Sequence, residues 1–121
     1  MSIWLRRIYD EPTRNDGHRV LVDRIWPRGI SKKDARIDAW LKEIAPSSDL
    51  RKWFGHSPEK WEAFKTRYFR ELDSRPEAVQ GLLDQVRRGR VTLVYAAKEQ
   101  RFNNAVALRQ YLNAALAGGN R

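Results

Sequence analysis

Two short polar stretches carry most of the side chains that could do chemistry. The first, IWPRGISKK (residues 25–33), follows an apolar run and places Arg28, Lys32 and Lys33 just behind Arg24. The second, AAKEQRFNN (residues 96–104), supplies Lys98, Arg101, Asn103 and Asn104. Each stretch leads into a helix start, where free N–H groups and the positive dipole end favour an anion. Arg adds a planar fork of donors that matches phosphate or carboxylate. The expectation is an anion of that size held by Arg28, Lys32 and Lys98. The alternative is a solvated basic rim.

Asp23 and Arg24 fall inside the apolar run RVLVDRIW (residues 19–26), read as a strand. A charge among apolar neighbours is costly unless paired, so each needs an opposite partner or a ligand. For Asp23 the reading is a buried ion pair, for instance with Arg7 or Arg51. For Arg24, near the strand's end, it is ligand binding. His56 sits between Gly55 and Ser57 beside a helix start, where a neutral ring could act as general base. Capping or packing is the competing role, because no partner is visible in the sequence. His18 follows a turn glycine and is read as exposed. Two separated histidines without ligand spacing give no metal site. No nucleophile elbow, P-loop or dinucleotide fingerprint is present, so no cofactor is expected. Glu59, Glu62 and Glu71 flank an aromatic helix and read as surface solvation.

These side chains need a scaffold, and the pattern supplies one. Residues 3–9 and 19–26 read as strands, with the turn cluster DEPTRNDG between them. Ser31 is expected to cap a helix whose apolar face continues through Ile37, Trp40, Leu41 and Ile44. APSS (residues 45–48) breaks that helix, and Ser48 caps a short one that ends at Gly55. Ser57–Pro58 starts a longer helix with Trp61, Phe64, Tyr68, Phe69 and Leu72 on one face. Pro76 opens another, stopped at Gly89. VTLVY (residues 91–95) is continuously apolar, as for a strand covered on both sides. Asn103 or Asn104 caps the last helix, which Gly118–Gly119 end. The fold class is α/β: a small, at least partly parallel sheet covered by about four to five helices. If the second strand and VTLVY run parallel, the two basic stretches share one rim, where ligands bind in open α/β sheets.

The 121 residues suit one domain spanning 1–121, with a formal net charge of +9 and no Cys. The absence of Cys excludes disulfides and thiolate chemistry, and with no apolar leader or membrane-length stretch the expected location is cytoplasmic. Arg outnumbers Lys 17 to 7. That excess fits an anionic partner and equally the codon bias of a G+C-rich genome. A helix-turn-helix over residues 49–72 is disfavoured, because the second helix begins PEKWEAF and phosphates would meet its acids.

The segments RIYDEP, GHRVLVDRIWPRGISK, WLKEIAPSSDLRKWFGH, KWEAFKTRYFREL and VTLVYAAKEQRFNNAVAL together resemble the YeaO-like branch of the domain-of-unknown-function 488 family. They cover the chain from Arg7 to about Leu112. The resemblance implies a compact α/β domain without an established activity. Its most family-like positions include Tyr9, Asp23, Arg24, Arg28, Lys32, Arg51, His56, Tyr95 and Lys98. One departure is visible: Glu99 and Arg101–Phe102 stand where the family pattern has Asp and a His before Asn. If that His served chemistry, the acid–base role falls here to His56 or to no histidine.

The resulting expectation is a site for an anionic, phosphate-containing ligand, a nucleotide or nucleic acid. Arg24, Arg28, Lys32, Arg51, Tyr95 and Lys98 would bind it, with His56, Asp23 and Tyr9 as acid–base candidates if a reaction occurs. The alternative is a non-catalytic module that binds nucleic acid through its basic surface. A third reading is an interaction protein whose helices form an oligomer interface. No membrane is expected as a partner, and composition leaves the oligomeric state open.

Overall fold

The computed structural model describes residues 3–118. Four strands form one sheet: β1 (Ile3–Arg7), β2 (His18–Leu21), β3 (Ala39–Trp40) and β4 (Val91–Tyr95). Their order is β1-β4-β2-β3, and every neighbouring pair is parallel. Five α-helices accompany them among the described residues: α1 (Lys32–Ala35), α2 (Ser48–Phe54), α3 (Trp61–Asp73), α4 (Pro76–Arg88) and α5 (Asn104–Gly118). The expected α/β class is what the molecule has.

The central strand β4 is buried along its whole length, as its unbroken apolar run demands. The sheet separates two cores. On one side Val20, Val22 and Leu93 pack with Phe64, Tyr68, Leu82, Leu108 and Leu112 from the helices. On the other, Ile8, Leu21, Ala35 and Val94 form a smaller cluster edged by Trp26, Ile37 and Trp40. Val20, Leu21, Leu93 and Val94 are fully buried. Each such side chain stabilises by up to about 1.5–3 kcal/mol relative to exposure.

Two expectations about elements are corrected. The run 19–26 is a strand only to Leu21. Val22 N–H still donates to the Val94 carbonyl at 3.0 Å, but the N–H of Ala96, directly after β4, goes to the Asp23 carboxylate at 2.9 Å. A side chain has replaced the backbone ladder, so Asp23 and Arg24 stand in a loop rather than in a strand. The second correction concerns the helix expected to run on through Ile44. Arg36 adopts a left-handed conformation (φ 50°) and closes α1 after one turn. Asp38 then exchanges hydrogen bonds with Arg19 at 2.8 Å, and β3 joins the sheet beside β2. The apolar spacing from Ile37 to Ile44 serves both cores instead of one helix face.

The caps agree with the residues available. Ser47, one position before the expected Ser48, accepts the Leu50 N–H at the start of α2. Gly55 closes that helix at φ 53°. Asn103 caps α5 by accepting the Val106 N–H at 3.0 Å. Gly118 is the last residue of that helix, and Gly119 lies outside the described residues. No described helix is long and apolar enough to cross a membrane.

Candidate functional site

A cavity of about 550 Å³ opens beyond the carboxyl ends of β1, β2 and β4. That is where parallel sheets hold ligands, and the volume lies in the range of small-molecule sites. Four segments build it. Tyr9 comes from the turn after β1, Asp23 to Arg28 from the loop after β2, and Ala96, Ala97 and Asn104 from the region after β4. Arg51, Lys52 and Phe54 at the end of α2 and Gly55 and His56 just after it supply the remaining wall, together with Ala45 and Pro46.

Asp23 ties these segments together. Its carboxylate accepts the Ala96 N–H at 2.9 Å and the Asn104 side-chain amide at 3.1 Å. The same amide donates to the Val22 carbonyl at 3.0 Å. The Asp23 carbonyl accepts the Trp40 indole N–H at 2.7 Å. Burial pushes the Asp23 carboxyl above its ordinary value, against the smaller opposing effects of Asn104, Ala96, Arg51 and His56. The ion pair expected with Arg7 or Arg51 does not form; neutral donors take its place.

The arginines around the cavity divide into two groups. Arg24 lines it, yet its guanidinium donates to the Pro46 and Ala45 carbonyls at 3.1 and 3.2 Å. Arg75 donates to the Ala45 carbonyl as well, at 2.8 Å, so this turn before α2 is held from both sides. Arg7 donates to the Ala97 and Ala96 carbonyls at 2.9 and 3.3 Å. Arg28 and Arg51 differ: both are exposed, both line the cavity, and neither guanidinium has a hydrogen-bond or ion-pair partner among the described residues. The backbone beneath Arg28 is nonetheless fixed, because the Tyr9 hydroxyl donates to its carbonyl at 2.8 Å.

His56 stands on the same wall in a left-handed conformation (φ 57°), directly after Gly55 in the same region. For a residue with a Cβ that geometry is strained, and such strain concentrates at functional positions. Its ring meets Phe54 edge-on at 5.6 Å. Tyr9 is 45% exposed and carries the Arg7 guanidinium 5.2 Å from its ring centre.

Of the residues singled out in the sequence, the structure brings Tyr9, Asp23, Arg24, Arg28, Arg51 and His56 to one cavity. It leaves Lys32, Lys98 and Tyr95 outside its lining. Lys32 is exposed at the start of α1, and Lys98 is exposed in the loop after β4. Tyr95 packs in the larger core, and burial raises its hydroxyl pKa above the ordinary value. Of the three cations expected to hold an anion, Arg28 lines this cavity while Lys32 and Lys98 do not, and Arg51 lines it as well. Lys52, Ile25 and Pro46 also line the cavity and were not foreseen. Lys52 was legible as the neighbour of Arg51 at the end of a short helix. Among the described residues no group of three His, Asp or Glu side chains converges on a metal position.

Comparison with known proteins places the chain among relatives of nearly its own length. It is 40% identical to the uncharacterised protein YeaO of Escherichia coli over 112 residues, 93% of this chain and 97% of the relative. It is 43% identical to the uncharacterised proteins Mb3100c of Mycobacterium bovis and Rv3073c of Mycobacterium tuberculosis, over 88% of this chain and 90% of theirs. No solved structure matches it. The family model described as the inactive DUF488-N3 subclade matches residues 2–120, and the chain belongs to that family.

Proposed function

We propose that this protein is a binding protein without turnover, and that its cavity at the carboxyl rim takes an anionic, phosphate-containing small ligand. The observation that carries the reading is the pair Arg28 and Arg51, which have no hydrogen-bond or ion-pair partner among the described residues, while Arg7 and Arg24 each donate two hydrogen bonds to backbone carbonyls. Both guanidinium groups line the same cavity without a partner among the described residues, and an anion bound there would gain charge-assisted hydrogen bonds from them. The subclade's description as inactive supports binding over chemistry. So does the engagement of two of the three acid–base candidates. The Tyr9 hydroxyl is committed to the Arg28 carbonyl, and the Asp23 carboxylate to Ala96 and Asn104. His56 is the one left without a hydrogen bond among the described residues.

Titration with inorganic phosphate at constant ionic strength, followed by calorimetry, tests the reading. Binding should saturate, and Arg28→Ala or Arg51→Ala should each weaken it by about tenfold or more. Binding that never saturates and is insensitive to both substitutions would refute it.

A second reading, a nucleic-acid-binding surface, is favoured by Trp53, whose ring carries Arg67 at 4.1 Å and Lys60 at 5.0 Å. Such a surface would bind duplex DNA with an affinity that falls steeply as salt rises. Affinity for phosphate in the cavity would change far less.

A further inference from the structure

The cavity wall is not uniformly charged. Beside Arg28 stand two large side chains that the fold leaves in solvent: Tyr9, 45% exposed, and Ile25, 60% exposed. Exposed apolar groups scattered over a surface carry no message, but two on the rim of one cavity form a patch with a use. Tyr9 is also immobilised. Its hydroxyl is tied to the Arg28 carbonyl at 2.8 Å, and the Arg7 guanidinium sits 5.2 Å from its ring centre. Arg7 in turn is clamped by the carbonyls of Ala96 and Ala97. A rigid aromatic ring that shares a cavity with Arg28 and Arg51, which have no partner among the described residues, is a surface on which a planar ring can stack while an attached anion is neutralised.

The floor adds a third requirement. The Asp23 carboxylate accepts two hydrogen bonds from the protein, Ala96 N–H and the Asn104 amide. An ionised carboxylate has room for about four. It lines the cavity with acceptor capacity to spare, so a ligand donor is the natural complement. Inorganic phosphate offers neither a planar ring nor a neutral donor. A sugar phosphate offers the donor alone.

Resting on the reading of the cavity as an anion site, we infer that its ligand is a free nucleoside monophosphate. The phosphate lies between Arg28 and Arg51, the base against Tyr9 and Ile25, and a sugar hydroxyl or base N–H reaches Asp23. A 5′-phosphorylated end of a nucleic acid presents the same chemistry, and the experiment separates the two sources.

Calorimetric titrations at fixed ionic strength would compare inorganic phosphate, ribose 5-phosphate, the four common nucleoside 5′-monophosphates and a 5′-phosphorylated oligonucleotide. At least one mononucleotide should bind about tenfold or more tightly than phosphate and ribose 5-phosphate, and at least as tightly as the oligonucleotide. Tyr9→Ala should erase that preference and Tyr9→Phe keep it, with circular dichroism confirming that both variants are folded. Mononucleotide and phosphate binding equally would overturn the nucleotide inference and leave the anion site standing. Failure of every probe to saturate would remove both. An oligonucleotide binding clearly tighter than every mononucleotide would overturn the free nucleotide in favour of a strand end. Equal losses in Tyr9→Phe and Tyr9→Ala would overturn the ring contact, since the hydroxyl's hold on the Arg28 loop would then explain the preference.

Discussion

Asp16 and Asp23 flank β2, one at each end, and the arginines around them behave in opposite ways. Asp16 is fully buried before the strand. It accepts the Thr13 N–H at 3.1 Å, the Thr13 hydroxyl at 2.9 Å and the Arg19 guanidinium at 2.6 Å, with Arg6 3.6 Å away. Arg19 spends its other donors on the Ala35 and Arg36 carbonyls at the end of α1. Burial opposes ionisation of Asp16, but the Thr13 and Arg19 hydrogen bonds and the Arg6 charge together outweigh it and hold the carboxyl below its ordinary value. Asp23, after the strand, accepts only from neutral donors among the described residues, and burial raises its carboxyl. Of the three arginines that line its cavity, Arg24 is tied to backbone carbonyls, whereas Arg28 and Arg51 have no partner among the described residues. An acid and a base that satisfy each other, as Asp16 and Arg19 do, make a structural joint. An acid and bases kept apart across a cavity make a place for something else.

The contrast can be broken at the closed end first. Asp16→Ala leaves the buried Arg19 without its carboxylate and should cost about 3–5 kcal/mol in urea unfolding. A cost under about 1 kcal/mol would mean that the joint is not structural. Next in size is Gly17→Ala. Gly17 has φ +66°, and a methyl there would strike the Arg90 carbonyl oxygen. Left-handed strain and the collision together should cost about 2–4 kcal/mol, measured the same way.

At the open end the expected losses shrink. Arg24→Ala removes two charge-assisted hydrogen bonds to the Ala45 and Pro46 carbonyls and should cost about 1.5–3 kcal/mol. Arg28→Ala and Arg51→Ala touch no protein partner among the described residues, so each should change stability by less than about 0.5 kcal/mol while weakening phosphate binding. A larger loss from either would show that the open arginines have structural duties after all.

The two aspartates should also respond to acid with opposite sign. A lowered carboxyl stabilises the fold above its ordinary value of 3.8, and that stability is lost as pH falls further. A raised carboxyl contributes most below 3.8, and its contribution fades as pH climbs through the elevated value. Comparing the wild type with Asp16→Asn at pH values on both sides of the ordinary 3.8, its advantage should shrink in acid. Against Asp23→Asn it should grow in acid. Parallel trends would dissolve the distinction between the two ends.

Much of the scaffold was legible because it depends on local apolar runs. VTLVY announces a strand covered on both faces, and the aromatic face from Trp61 to Leu72 announces a buried helix; both are present. The parallel pairing of β2 with β4 brings the loops after them to one rim, which is why Asp23, Arg28 and Asn104 meet. What escaped depends on single backbone conformations and on side chains that replace backbone. Arg36 in the left-handed region cut a helix that periodicity extended, and the Asp23 carboxylate cut a strand. The closed cluster around Asp16 had a readable sign in Thr13-x-x-Asp16, the spacing of a capping box. Lys32 and Lys98 illustrate the opposite limit. Proximity in sequence to a rim does not say toward which side of a loop a side chain leaves, and charge offers no periodicity from which to learn it.

The order of the strands has a consequence for how the molecule comes into being. β4 lies between β1 and β2, which touch each other nowhere in the sheet and depend on it as their shared neighbour. On the ribosome everything before Val91 is made first, leaving β1 alone and β2 with only the two-residue β3 to pair with. At about 5–20 residues per second, the two strands wait some seconds with open edges. A nascent chain cut before Val91 has no sheet to close. The four-stranded sheet, and with it the cavity that Ala96 and Asn104 help to line, is complete only once β4 has taken its place between β1 and β2.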